Sequence, residues 1–172
     1  MPLAVTHVLL TIILVDLYRD YFAKHKKYFT IHTLFIAGLG GILSDIDIPI
    51  NWILGFFGYS SGLLNHGGIT HTILFGLIFL IPAFMLFMRK KHKESMYFFV
   101  ISFGILFHLF LDVIVNEGYY MLLWPLTTQA FSIMQLSDIG MVFNGIQPAL
   151  DAIILLVWLY HEEIKHKIKD FI

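Results

Sequence analysis

The sequence contains no cysteine. Disulfide frameworks and thiolate metal sites are therefore excluded, and the redox compartment leaves no mark on it. Charge is scarce: Asp, Glu, Lys and Arg make up 13% of the 172 residues, against roughly 25% in an average soluble domain. Hydrophobic residues reach 58%, more than a soluble surface can hide, so the membrane class is the default. A more local absence says most. Segments 1–18, 28–88 and 94–164 hold no Lys or Arg. No basic stripe for nucleic acid, Gly-rich phosphate loop or GxSxG elbow is present either. No repeat, low-complexity tract or linker divides the chain, and 1–172 reads as a single domain. The first apolar stretch has no basic segment before it and no small-residue cleavage site after it, so it reads as a retained helix.

What is present are apolar stretches of spanning length. Residues 3–22, 69–88, 96–116 and 146–163 come close to the about 20 residues that a transmembrane helix needs. A fifth stretch, 31–43, is short and carries Gly38, Gly40 and Gly41. Measured from Lys27 to Asp45 it covers about 27 Å, enough to cross, and its glycines favour close packing of a neighbouring helix. All 11 Lys and Arg fall in three clusters: Arg19, Lys24, Lys26 and Lys27; Arg89, Lys90, Lys91 and Lys93; Lys165, Lys167 and Lys169. Pairs of spans separate the clusters, and the positive-inside rule makes all three cytoplasmic. The predicted fold is all-α, a polytopic membrane bundle of about five transmembrane helices in the cell membrane. Trp52, Tyr59, Tyr119, Tyr120 and Trp124 line its outer interface, and Tyr18, Tyr21, Tyr28, Tyr97 and Tyr160 the inner one. Residues 48–57 are too short to cross and lie in the interface or re-enter, while 127–147 form an outer cap.

The same topology gathers His and Asp at the outer face. His7 starts helix one, Asp45 and Asp47 follow helix two, His66 and His71 flank the start of helix three, and His108 and Asp112 close helix four. His108 and Asp112 are four apart and share a helix face. Taken singly, each group has a bland reading: an intrahelical hydrogen bond, turn-favouring aspartates before Pro49, interfacial histidines, and Thr70 as a helix cap. Together they place three carboxylates and four imidazoles on a face without Lys or Arg. Metal cations are the simplest source of the missing charge. Imidazole with carboxylate suits zinc, manganese or iron, and seven ligand candidates leave room for one ion or two. His25, His92, His161 and His166 read as cytoplasmic surface. Asp151 reads as an acid at the start of helix five, and Asn116, Glu117 and Asp138 lie on the outer side.

These motifs resemble the YdjM-like family, described as membrane-bound metal-dependent hydrolases. The family's Gly-His or Thr-His element is matched by Thr6-His7, and its Leu-Pro-Asp-Ile-Asp by Leu43-Ser44-Asp45-Ile46-Asp47. Its His-Arg-Gly-x-Thr-His-Ser is matched by residues 66–72, and its His-x-x-x-Asp by His108 to Asp112, with Gly118 and Trp124-Pro125 downstream. Ser44 replaces the usual Pro, Gly67 the usual Arg and Asn116 a common Thr, so substrate contacts differ more than ligand positions do. The order of ligands is also similar to that of zinc-dependent phospholipases C.

The resemblance implies a hydrolase in which metal-activated water attacks an ester or phosphoester, of a lipid or another amphipathic molecule. It implies His7, Asp45, Asp47, His66, His71, His108 and Asp112 as metal ligands, with Asp45 or Asp47 serving as catalytic base. The partners expected are membrane lipids, and no nucleic acid. The alternative is a membrane protein that binds or transports metal without hydrolysis. A transporter, however, would place its ionisable residues near the bilayer midplane.

Overall fold

The computed structural model describes residues 4–23, 27–59, 62, 65–115, 120–129 and 137–166. Among these the secondary structure is helical: α1 (Ala4–Leu17), α2 (Ile31–Leu43), α3 (Asp47–Phe56), α4 (Ile73–Ile78), α5 (Leu80–Met88), α6 (His92–Val115) and α7 (Ser137–His166). A π turn, Tyr18–Ala23, extends α1. The expectations for Asn116, Glu117, Gly118, Tyr119, Lys24, His25, Lys26, Lys167 and Lys169 lie outside the described residues, as does the side chain of Asp138.

Two described helical runs are long and apolar enough to cross a membrane: Ile31–Phe56, with mean hydropathy 1.5, and His92–Ile114, with 2.1. Ile73–Met88 is a shorter apolar helix. Helix two does not end at Asp45. A 3₁₀ turn, Ser44–Ile46, carries it directly into α3, so residues 48–56 prolong the helix. Pro49 allows this because it sits in the first turn of α3, where a missing N–H costs nothing. In helix three, Thr72 rather than Thr70 caps α4, accepting from Phe75 N at 3.1 Å. Pro82 lacks the N–H that would bond the Ile78 carbonyl, and the helix breaks there between α4 and α5. Helix five starts earlier than its apolar run, at Ser137, and takes in part of the expected cap.

The long helix α6 is the hub, packed most extensively on α2 and also on α5, α4 and α1. Glycine permits the α2–α6 crossing: a Cβ at Gly40 would stand 2.7 Å from the Ile101 carbonyl oxygen, and one at Gly104 would stand 2.7 Å from that of Ala37. Serines tie α6 to its other neighbours, with Ser95 donating to Ala83 O at 2.8 Å and Ser102 to Gly76 O at 2.9 Å. Ile12, Val15, Phe29, Leu34, Ala37 and Val100 form an apolar core between α1, α2 and α6. Large side chains such as Phe22, Phe35, Phe84, Phe87 and Leu156 stay exposed. In water such a belt would be an association surface; in a bilayer it faces its own solvent.

Candidate metal centre

All seven candidate residues meet at one end of the bundle, delivered by four separate stretches of chain. The first turn of α1 brings His7, and the α2–α3 junction brings Asp45 and Asp47. His66 and His71 come with the loop and 3₁₀ turn before α4, and His108 and Asp112 with the end of α6. His7, Asp47, His71, His108 and Asp112 are buried, and Asp45 and His66 are partly exposed.

Four atoms define the centre. His108 Nε2 lies 3.1 Å from Asp112 Oδ2 and 3.5 Å from Asp45 Oδ1. His71 Nε2 lies 3.5 Å from the same Asp45 oxygen and 3.6 Å from the same Asp112 oxygen. In a tetrahedral site with bonds of about 2.0–2.2 Å, ligand atoms stand roughly 3.3–3.6 Å apart. Three of the four atoms, His71 Nε2, His108 Nε2 and Asp112 Oδ2, are buried without a hydrogen bond. Buried polar atoms without partners are rare, and several facing one point fit a cation.

The other ring nitrogens explain why these atoms are bare. His108 Nδ1 donates to the Gly41 carbonyl at 2.7 Å, which fixes the tautomer that leaves Nε2 as a lone pair. Gly41 can offer that carbonyl because α1 presses against it: a Cβ there would lie 2.8 Å from His7 O. His71 Nδ1 lies 3.3 Å from Asp47 Oδ2, and that oxygen also accepts from Thr70 at 3.1 Å. Tyr120 is buried and stacks on the His71 ring with centroids 5.5 Å apart. Asp47, fully enclosed, therefore stands behind His71, with its Oδ1 toward His66 Nδ1 at 3.4 Å.

His7 stacks on His108 at 3.9 Å and turns Nε2 toward Asp112 Oδ1, 3.4 Å away. Asp112 thus presents its two oxygens in two directions. The potential ligands fall into two adjoining triads, His7–His108–Asp112 and Asp45–His66–His71. Among the described residues no ion pair joins these carboxylates to Lys or Arg. Asp151 is not a helix-start acid, since α7 begins 14 residues earlier; it accepts from Thr6 at 2.9 Å, next to His7.

A second polar cluster lies at the other end of α1. Arg19 meets Asp16 at 2.5 Å and both Asp20 and Glu162 at 3.1 Å. His166 lies 2.9 Å from Asp20, and Trp158 Nε1 donates to Asp16 at 2.9 Å. Arg19, His161 and His166 are consequently not plain cytoplasmic surface: they pack against α1 and α7 carboxylates. Sequence reasoning missed Gly41, Thr70 and Tyr120 as supports of the first cluster and the whole of the second. Spacing carries a signal for the second alone, in Asp16 to Arg19 and Glu162 to His166, three and four apart.

The chain matches the family model described as YdjM inner membrane protein over residues 1–167. It belongs to that family. No curated protein and no solved structure matches it. Membership makes the chain an inner membrane protein and accounts for its exposed apolar belt; the family's description gives no reaction.

Proposed function

We propose that this YdjM-family protein is a metal-dependent hydrolase that cleaves an ester or phosphoester bond at the membrane. The observation carrying the reading is a ring of four potential ligand atoms, neighbours standing 3.1–3.6 Å apart, three of them buried without a hydrogen bond. His71, His108, Asp45 and Asp112 hold the first ion, zinc by preference, with manganese or iron as alternatives. His7 and the second oxygen of Asp112 would hold a second ion. A bound divalent ion supplies Lewis acidity and lowers the pKa of its water toward neutrality.

The chain's own groups divide the remaining work. Asp47 and the Gly41 carbonyl orient the two imidazoles from behind, as carboxylates and carbonyls do in many metal sites. Asp47 is thereby a positioning residue, and Asp45, the more accessible of the pair, is the base. One Asp45 oxygen serves as ligand, and Oδ2 takes a proton from the attacking water. His66, the most exposed of the four imidazoles, gives a proton to the oxygen that leaves. Water adds as hydroxide to the acyl carbon or phosphorus, the ester bond to oxygen breaks, and the alcohol departs protonated.

The test begins with metal analysis of purified protein prepared without chelators. About one or two ions per chain are expected in the wild type and a loss of more than tenfold in His71→Ala and His108→Ala. Metal-free wild type would overturn the reading. Bound metal without turnover of esters, amides and phosphoesters would leave the rival, a membrane metal-binding or transport protein.

The five-span path belongs to this proposal, with the centre on the face opposite the basic clusters. Because the chain has no native cysteine, single cysteines can report it. One at Gly62 should react with an impermeant thiol reagent outside intact cells, and one at Lys91 should not. The opposite pattern would put the centre in the cytoplasm.

A further inference from the structure

Beside the metal centre, α4, α6 and the 120–126 segment enclose an apolar cleft of about 300 Å³ lined by Ile73, Leu106, Leu109, Phe110, Val113 and Leu122. None of these side chains carries a polar atom. The cleft and the centre are built on the same stretches of chain. Leu109 and Val113 follow His108 and Asp112 by one residue on α6, and Ile73 follows His71 by two. Ile73 N donates to the Leu122 carbonyl at 2.9 Å, fastening α4 to the segment whose Tyr120 stacks on His71. Neighbours one apart on a helix point about 100° away from each other, so the cleft lies on the face of α6 next to the one that carries His108 and Asp112.

Depth and surroundings identify what fills it. Counted along α6 from His92, in the basic cluster, the lining residues Leu106 to Val113 stand roughly 21–32 Å away, toward the far side of a hydrocarbon core about 30 Å thick. His108 and Asp112, at about 24 and 30 Å, fall where acyl chains join their headgroups. The cleft opens onto the exposed apolar surface, since its lining residue Phe110 is exposed. A soluble substrate would gain nothing from an apolar groove at that depth. A membrane lipid entering sideways places an acyl chain there, with little gain over the surrounding bilayer because the chain is already out of water. The cleft thus selects and orients more than it binds.

We infer that this cleft holds an acyl chain of a membrane lipid whose ester or phosphoester then lies at the metal centre. The inference rests on the hydrolase reading for its second half only. Purified protein in detergent micelles, supplied with phosphatidylglycerol bearing a diazirine near one acyl terminus, tests the first half. After irradiation and peptide mapping, label should concentrate on residues 105–113 and 121–123. Leu122→Trp, which fills the cleft, should cut that label about tenfold while metal content is kept. Phe110→Trp, at a more exposed position, should cut it about threefold and guards against misfolding of the first variant. Label spread evenly over exposed residues such as Phe84, Phe87 and Leu156, or unchanged in both variants, would overturn the inference. Turnover measured alongside separates the two readings. Concentrated label without hydrolysis of any ester keeps the cleft and removes the hydrolase. Even label, with p-nitrophenyl phosphate cleaved as fast as a lipid, does the reverse.

Discussion

The two ends of α1 build polar clusters from the same residue types and balance them differently. Near Asp16, three carboxylates surround Arg19, which touches each of them. His161 stands farther out, 4.0 Å from Asp16 and 3.8 Å from Glu162, longer than the edge of a tetrahedral metal site. That cluster carries its own cation. At the other end three carboxylates face four imidazoles, no ion pair with Lys or Arg is found among the described residues, and bare nitrogens converge at 3.1–3.6 Å. That cluster has room for a cation from outside, as the proposed metal centre requires. A buried acidic group is thus no metal site by composition alone; what decides is whether a guanidinium already occupies the middle.

Removing that guanidinium is the strongest way to break the contrast. Arg19→Ala should destabilise the protein by about 3–5 kcal/mol, because buried carboxylates lose their partner. Thermal unfolding in detergent would register it, while metal per folded chain, before any zinc is added, should stay at the wild-type level. If Arg19 stands where an ion would otherwise sit, added zinc should raise the melting temperature of Arg19→Ala more than that of the wild type. At the other end the order of effects reverses. Asp47→Asn should lower metal affinity about 10–100-fold by loosening His71, with little change in the stability of the metal-free chain, as measured by competition with a chelating dye. Gly40→Ala drives a methyl against the Ile101 carbonyl and should cost about 1–3 kcal/mol. Its effect on metal follows from the displaced α2 and should be no more than a fewfold change. Thr70→Val removes one hydrogen bond to Asp47 and should cost about 1 kcal/mol, read as a small fall in metal affinity. Equal metal loss in Arg19→Ala and Asp47→Asn would erase the distinction between the two clusters.

The ordered motifs made the His and Asp set of the first cluster legible because each motif sits at a helix end, and helix ends on one face of a bundle must meet. The roles within the set were not legible. Asp45 and Asp47 differ by two residues, and only the 3₁₀ turn sends one toward the centre and the other behind His71. Tyr120 was assigned to the interface because aromatics favour it, yet it lies buried on an imidazole. The second cluster escaped for a different reason. The topology rule counts every Lys and Arg as cytoplasmic surface, and it says nothing about partners on a helix 140 residues away. Helix boundaries also shifted where Ser44 and Pro49 looked like an exit, since a tight turn can carry a helix through such residues without ending it.

The provenance of the four central ligand atoms has a consequence for how the protein is made. They are written on the α2–α3 junction, the turn before α4 and the end of α6, so none can pair with its fellows until those segments have inserted and docked. Helix α7 contributes none of them. Metal capture therefore belongs to a late stage of assembly but not to its final one. A chain halted before Ser137 already holds the full set, and an ion arriving then would lock the first six helices while the seventh is still to come.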